Sequence, residues 1–280
     1  MYKQKIGISL SKTWKLPLEE VLPLIRATGF DAVSPVWSPK EDLSVTVRMA
    51  NECGLEVQSL HAPFGQVVHM WSREEELCAP ARQELLTALE DCARCGIPVL
   101  VAHVWKGFDY IFQPEDIFFG NFDLVVDVAQ EKGVKIAFEN TEGEEYLNAL
   151  MAHFEGNETV GFCWDAGHEL CYNDSRDLLA QYGNRLLMTH LNDNLGTSRF
   201  DGKIFWTDDL HLLPYDGIAD WPYNIDRLRK ANKQEYLNFE LVTVSKPGRH
   251  ENDAYDQMPF QQYLAEAYKR ACRIAYGYSR

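Results

Sequence analysis

Carboxylates and imidazoles close a series of short apolar runs in this 280-residue chain. Ser59-Leu60-His61, Ala102-His103, Phe138-Glu139, Trp164-Asp165, Thr189-His190 and Phe239-Glu240 each bring such a run to an ionisable side chain. Four of the eight histidines (His61, His103, His168 and His190) lie at run ends or just past them, and His211 follows in a later irregular stretch. A lone His in that position is ordinarily hydrogen-bonded structure. A lone Glu after Ala-Phe or Asn-Phe is harder to explain, because burying an unpaired carboxylate costs several kcal/mol. Two such Glu, one Asp and several His at successive run ends point to one shared partner, and a bound divalent cation is the simplest. Oxygen and imidazole donors without thiolate favour Mn²⁺ or Zn²⁺, with Mg²⁺, Co²⁺ or Fe²⁺ as alternatives. Cys163 is left out of the set, since it shares a face with Asp165 only in an unbulged strand. Asn192 and Asp193 are expected to orient His190 from behind.

These side chains converge only if the runs lie side by side and end at one rim. The runs are Ile6–Leu10, Ala32–Val36, Glu56–His61, Val99–Val104, Val134–Glu139, Val160–Trp164, Leu186–Leu191 and Tyr236–Val242. Their Val, Ile, Leu and Phe content suits strands buried on both faces. Helical patterns alternate with them over Leu18–Thr28, Val45–Cys53, Glu74–Cys95, Asp123–Lys132, Ser175–Tyr182 and Asn224–Asn232, and a last helix spans Phe260–Ala275. Gly29, Gly54, Gly96 and Gly133 stop successive helices just before the next strand. Eight β-then-α units predict an α/β fold, a closed (β/α)8 TIM barrel forming a single domain over residues 1–280. The alternative, an open doubly wound sheet, lacks a G-x-G-x-x-G turn after its first strand. In a parallel barrel the chemistry sits at the carboxyl ends of the strands. The long irregular stretch Asn192–Asp220 follows the seventh strand, and a loop of that length is usually functional.

Composition narrows the partner. There are 42 acidic and 27 basic residues, a formal net charge of −15. That field repels a phosphate backbone and argues for a small-molecule substrate over nucleic acid. Scattered Lys106, Lys203, Lys246, Arg249 and His250 are the candidates for holding a phosphate. No stretch approaches the roughly 18 to 20 apolar residues of a membrane span, and Met1-Tyr2-Lys3-Gln4-Lys5 carries no signal-peptide core. Seven scattered cysteines read as reduced thiols of a cytoplasmic protein, with Cys92 and Cys95 as buried helix residues rather than a metal pair. Trp14, Trp37, Phe64, Trp105 and Trp164 lie near run ends, where they line a small-molecule site or fill the core.

The order and spacing of Phe138-Glu139-Asn140, Trp164-Asp165-Ala166-Gly167-His168, Thr189-His190-Leu191-Asn192-Asp193 and Asp209-Leu210-His211-Leu212-Leu213-Pro214-Tyr215-Asp216-Gly217-Ile218-Ala219-Asp220-Trp221 resemble the xylose-isomerase-like TIM barrels. That superfamily includes sugar-phosphate isomerases, ketose 3-epimerases, inosose dehydratases and the endonuclease IV (AP endonuclease family 2) proteins. The resemblance spans essentially the whole chain. It implies that Glu139, Asp165, His190 and Glu240 hold the metal, and that Glu139 and Glu240 also serve as the acid/base pair. It makes His168 a substrate contact, and His61 and His103 either further substrate contacts or ligands. Ketose epimerases place an Arg six residues after the metal-binding His, where this chain has Gly196, so Arg199 becomes the candidate replacement. His61, His103, His168, Asp209 and His211 also match the additional ligands of the three-zinc endonuclease site. The implied activity is isomerisation or epimerisation of a sugar or sugar phosphate through a metal-stabilised enediolate. The alternatives are an inosose-dehydratase-like lyase, a multinuclear zinc phosphodiesterase and a non-enzymatic sugar-binding barrel. Self-association into a homo-oligomer is compatible with such a barrel.

Overall fold

The computed structural model describes residues 4–199 and 201–280; the expectation for Met1-Tyr2-Lys3 lies outside them. Strands β1 (Lys5–Ser9), β2 (Ala32–Ser34), β3 (Glu56–Val57), β4 (Leu60–His61), β5 (Val99–Ala102), β6 (Lys135–Glu139), β7 (Val160–Asp165), β8 (Leu186–His190) and β9 (Tyr236–Phe239) alternate with helices. The helices are α1 (Leu18–Thr28), α2 (Leu43–Glu52), α3 (Glu75–Cys95), α4 (Gly120–Lys132), α5 (Glu144–His153), α6 (Ala166–Cys171), α7 (Leu178–Tyr182), α8 (Trp221–Lys230), α9 (Asp253–Asp256) and α10 (Phe260–Tyr278).

All strand pairs are parallel, in the orders β3-β2-β1-β9 and β4-β5-β6-β7-β8. Two backbone seams join these arcs into the expected ring. Trp37 N–H donates to His61 O at 2.8 Å, and Leu191 N–H donates to Asn238 O at 2.9 Å. The third barrel strand is broken into β3 and β4 at Gln58-Ser59, where the sequence suggests one unbroken run. Both residues are buried polar groups bonded inside the barrel: Gln58 Nε2 donates to Asn238 Oδ1 at 2.6 Å while its Oε1 has no partner, and the Ser59 and Ser34 hydroxyls are 2.6 Å apart. These side-chain bonds add to the backbone bond that Gln58 N–H still donates to Val33 O at 3.2 Å.

Val101, Ala137, Cys163 and Met188 fill the barrel interior beneath the rim. The larger apolar layer, including Phe30, Phe122, Phe138, Phe162 and Phe239, lies between strands and helices. Trp14, Trp37 and Trp164 belong to that core, so three of the five aromatics considered for the site are packing residues. Cys92 is buried on α3 as expected, whereas Cys95 is half-buried; every cysteine is free. No helix among the described residues is long and apolar enough to cross a membrane.

Gly161 sets how closely β7 approaches β8. A Cβ there would meet the backbone Arg185 O at 2.5 Å. Because backbone cannot swing aside, Gly161→Ala is expected to destabilise the protein by about 1–3 kcal/mol. Urea unfolding would show this as a lowered midpoint, and an unchanged midpoint would contradict the packing described for β7.

Candidate metal centre

The rim side chains come together because six strands end on them in nearly the same plane. Glu139 closes β6, Asp165 closes β7 and His190 closes β8, while Glu240 directly follows β9. Asp165 and His190 are register partners across β7 and β8. Glu139 and Asp165 are fully buried, His190 is 1% exposed, and only the Glu240 side chain, at 22%, reaches the mouth. One ligand atom from each of these four residues lies within 4.8 Å of the others. His190 Nδ1 is 2.8 Å from both Glu139 Oε1 and Glu240 Oε2.

The remaining expected ligands form two satellite groups. His61, His103 and Glu139 make one; His168, Asp209 and His211 make the other. Hydrogen bonding fixes which imidazole nitrogen is free. His61 Nδ1 lies 2.8 Å from Ala62 O and His168 Nδ1 lies 2.9 Å from Asn140 O. A carbonyl only accepts, so each Nδ1 carries a proton and Nε2 is the nitrogen turned toward the site. His61 Nε2 then faces Glu139 Oε2 at 3.4 Å, and His168 Nε2 faces Asp209 Oδ1 at 3.4 Å. Those same two carboxylate oxygens are buried without a hydrogen-bond partner. A cation placed between each nitrogen and its carboxylate oxygen would satisfy both. The donor set therefore fits a divalent ion.

The acidic groups of the site raise His168, His190 and His211 although burial works to lower each of them. Burial pushes the Asp165 carboxyl up to about 6; the His168 and His211 imidazoles pull against this, and the Glu139 and Glu240 carboxylates add to it. Burial also works to raise Glu139 and Glu240, but His190 overrides it, holding Glu139 well below the ordinary range and Glu240 at about 2. Burial lowers His103, which favours the neutral, ligating imidazole.

Residues around the ligands hold them in place. Asn140 Oδ1 accepts from Asp165 N–H at 2.8 Å and its Nδ2 donates back to Asp165 O at 2.9 Å, coupling the ends of β6 and β7. Asp165 caps α6 by accepting from His168 N–H at 2.6 Å, which sets His168 one turn beyond the ligand. Asn192 Nδ2 donates to Asp165 Oδ2 at 2.8 Å and to the His190 backbone O at 3.4 Å, so it bridges the ends of β7 and β8 rather than holding the His190 ring. This contact needs Gly167, because a Cβ there would collide with the Asn192 amide.

Asp193 has a different task from the one expected. Its carboxylate accepts from Asn194 N–H (2.9 Å), Tyr215 N–H (2.8 Å), Ala219 N–H (3.0 Å) and Trp221 Nε1–H (2.9 Å). It latches the segment that carries Asp209 and His211, and a side chain at Gly217 would strike it. The spacing of the Asp209–Trp221 motif thus has a physical meaning: ligands at its start, an anchor at its end, and Gly217 for the close approach. His211 adopts a left-handed φ of 46°, strain that this latch holds.

Glu169 is a contributor that sequence reading missed. It follows His168 directly, accepts from Trp164 Nε1–H at 2.9 Å, and pairs with the buried Arg227 of α8 at 2.6 Å. Arg227 also stacks on the Trp164 ring at 5.1 Å. The residues flanking Asp165 and His168 are therefore bolted to one guanidinium. Cys163 was set aside on the sequence, yet its Sγ lies within 4.8 Å of the ligand atoms of Glu139 and His190. Strand alternation with Asp165 was the available signal. Arg199 is not brought to the site: its guanidinium engages Asp201 at 2.7 and 3.0 Å on an exposed loop. Of the five phosphate candidates, Arg249 is tied to Asp208 and Glu251, His250 to Asp253, and Lys246 to Asp209. Lys106 lies over the Phe64 ring and Lys203 is exposed.

Comparison with known proteins places this architecture. The Xylose isomerase-like TIM barrel family matches residues 22–262, and the chain belongs to that family. A relative from Sinorhizobium fredii, named Uncharacterized protein y4fM, is 28% identical over a 266-residue alignment covering 78% of this chain and 79% of that protein. The structure of the IolI protein with a bound zinc atom superposes with a TM-score of 0.76 at 18% identity, covering 98% of this chain and 99% of that one. An L-ribulose 3-epimerase gives 0.74 at 14% identity, covering 98% and 94%. At these identities the likeness shows the fold.

If the Glu169–Arg227 bracket positions the ligands, Glu169→Gln should weaken divalent-ion affinity about 10- to 100-fold while the protein stays folded. Chelator competition followed with circular dichroism measures both, and wild-type ion affinity in the variant would remove the bracket's proposed role.

Proposed function

We propose that this chain is a divalent-metal-dependent isomerase or epimerase of a sugar. The observation that carries this reading is the four-residue group of Glu139, Asp165, His190 and Glu240, with both glutamates aimed at His190. The fold-level likeness to proteins named as a sugar epimerase and as zinc-bound IolI supports it. Zn²⁺ or Mn²⁺ suits the donor set.

When bound, the ion supplies Lewis acidity to a carbonyl oxygen and its neighbouring hydroxyl. The chain's own groups then handle the proton. Glu240, the ligand nearest the mouth, and Glu139, buried on the floor, act as the carboxylates that take a proton from the carbon beside the carbonyl and return it. His190 lies 2.8 Å from each, and with no ion bound it holds both ionised. His168 presents Nε2 to a substrate hydroxyl, its other nitrogen being committed to Asn140 O. Phe64, stacked on His103 with ring centroids 4.3 Å apart, gives the mouth an apolar wall that sheds water.

A second reading, a multinuclear phosphodiesterase, draws on the two satellite groups and their bare oxygens, Glu139 Oε2 and Asp209 Oδ1. The net charge of −15 and the pairing of the rim arginine Arg249 with acids oppose a polyanionic substrate.

Incubating the metal-loaded protein with D-ketoses and their phosphates in D₂O should place deuterium on the carbon next to the carbonyl, read by mass spectrometry of the recovered sugar. Glu139→Gln and Glu240→Gln should each slow this exchange at least about a hundredfold without unfolding the chain. No exchange across the panel, or full exchange in either variant, would contradict the scheme.

A further inference from the structure

Among the described residues, Lys246 is the one lysine or arginine that forms an ion pair with a candidate ligand. Its Nζ is 3.4 Å from Asp209 Oδ2, over the ring of Trp206 at 5.8 Å, and its side chain is 24% exposed. The placement is built into the fold. Arg249, three residues on, donates to the fully buried Asp208 at 2.8 Å, and Asn252 Nδ2 donates to Leu210 O at 3.2 Å. Both chain neighbours of Asp209 are thus tied to the segment that carries Lys246, and Ser245 closes that segment through Asp253 at 2.7 Å.

The ligand groups differ in charge accordingly. Glu139, Asp165 and Glu240 contribute three carboxylates around His190, with no lysine or arginine paired to any of them among the described residues. The His168–Asp209–His211 group has one carboxylate. One of its oxygens is faced by Lys246 and by His211 Nε2 at 2.9 Å, and the other is bare.

We propose that Lys246 is a resident counter-ion of Asp209 that weakens the His168–Asp209–His211 group toward divalent cations, so that this group fills only after the four-ligand group. A fixed ammonium beside a ligand carboxylate offsets its charge and repels an incoming dication. The partial hydrophobic cover from Trp206 reduces solvent screening of that repulsion. This inference rests on the metal-centre reading above and adds to it the reason the chain would run with fewer ions than its ligand count permits.

The test is a Zn²⁺ titration of chelator-treated full-length protein, by equilibrium dialysis with plasma emission. It compares wild type, Lys246→Met, Lys246→Gln, Lys246→Arg, and each background with Asp209→Asn. The uncharged variants should bind an Asp209-dependent ion at least about tenfold more tightly than wild type, and Lys246→Arg should match wild type. Asp209→Asn should abolish that ion while leaving the four-ligand ion in place. Unchanged or weaker Asp209-dependent binding in both uncharged variants overturns the proposal. A wild type that takes up no Zn²⁺ at all overturns the metal centre itself, which is a separate failure.

Discussion

At the carboxyl end of this barrel, Glu139 and Asp165 are fully buried beside Glu240, and no lysine or arginine pairs with any of the three among the described residues. Left alone, such a cluster would oppose folding, since each buried carboxylate loses its hydration and repels its neighbours. His190 Nδ1 lies between Glu139 and Glu240, His168 Nδ1 lies 3.6 and 3.8 Å from Glu139 and Asp165, and burial still displaces Asp165 upward. In the proposed function a divalent ion resolves this conflict and gives the barrel rim its chemistry. The rest of the molecule around the site can be understood as what keeps that unfavourable arrangement in register.

Much of that restraint comes from α8. Its first residue, Trp221, donates to Asp193 and so fixes the Asp209–His211 segment, while Arg227, two turns along, grips Glu169 and Trp164 on either side of Asp165 and His168. One amphipathic helix thus braces two ligand-bearing corners that are far apart in sequence. Asn140 and Asn192 complete the bracing from β6 and β8. None of these residues is itself expected to bind the ion, yet together they set where the ligands point.

What the sequence made legible follows from locality. Strand ends, helix patterns and the Gly stops are encoded within a few residues, and the ring of parallel strands matches them closely, with Leu18–Thr28 recovered to the residue. The nine ligand candidates each terminate an apolar run or sit in a spaced motif, and the fold brings all nine into side-chain groups close enough to share an ion. What was not legible depends on pairings across the fold. The break at Gln58-Ser59 needs Asn238 and Ser34 to be seen opposite; the roles of Asp193 and Glu169 need α8 in place. Arg199 looked close in sequence to the missing arginine position, but its neighbour Asp201 captures it. Lys246, one of five scattered cations, became meaningful only when the loop after β9 was seen to lie against Asp209.

The central claim is that Glu139, Asp165, His190 and Glu240 hold a divalent ion, and it is tested most directly by elemental analysis. Protein purified without chelator should carry about one tightly held divalent ion per chain, and Asp165→Ala should lose it while remaining folded. A wild-type protein that stays metal-free when equilibrated with Zn²⁺ and Mn²⁺, or an Asp165→Ala protein that retains its ion, would contradict the account.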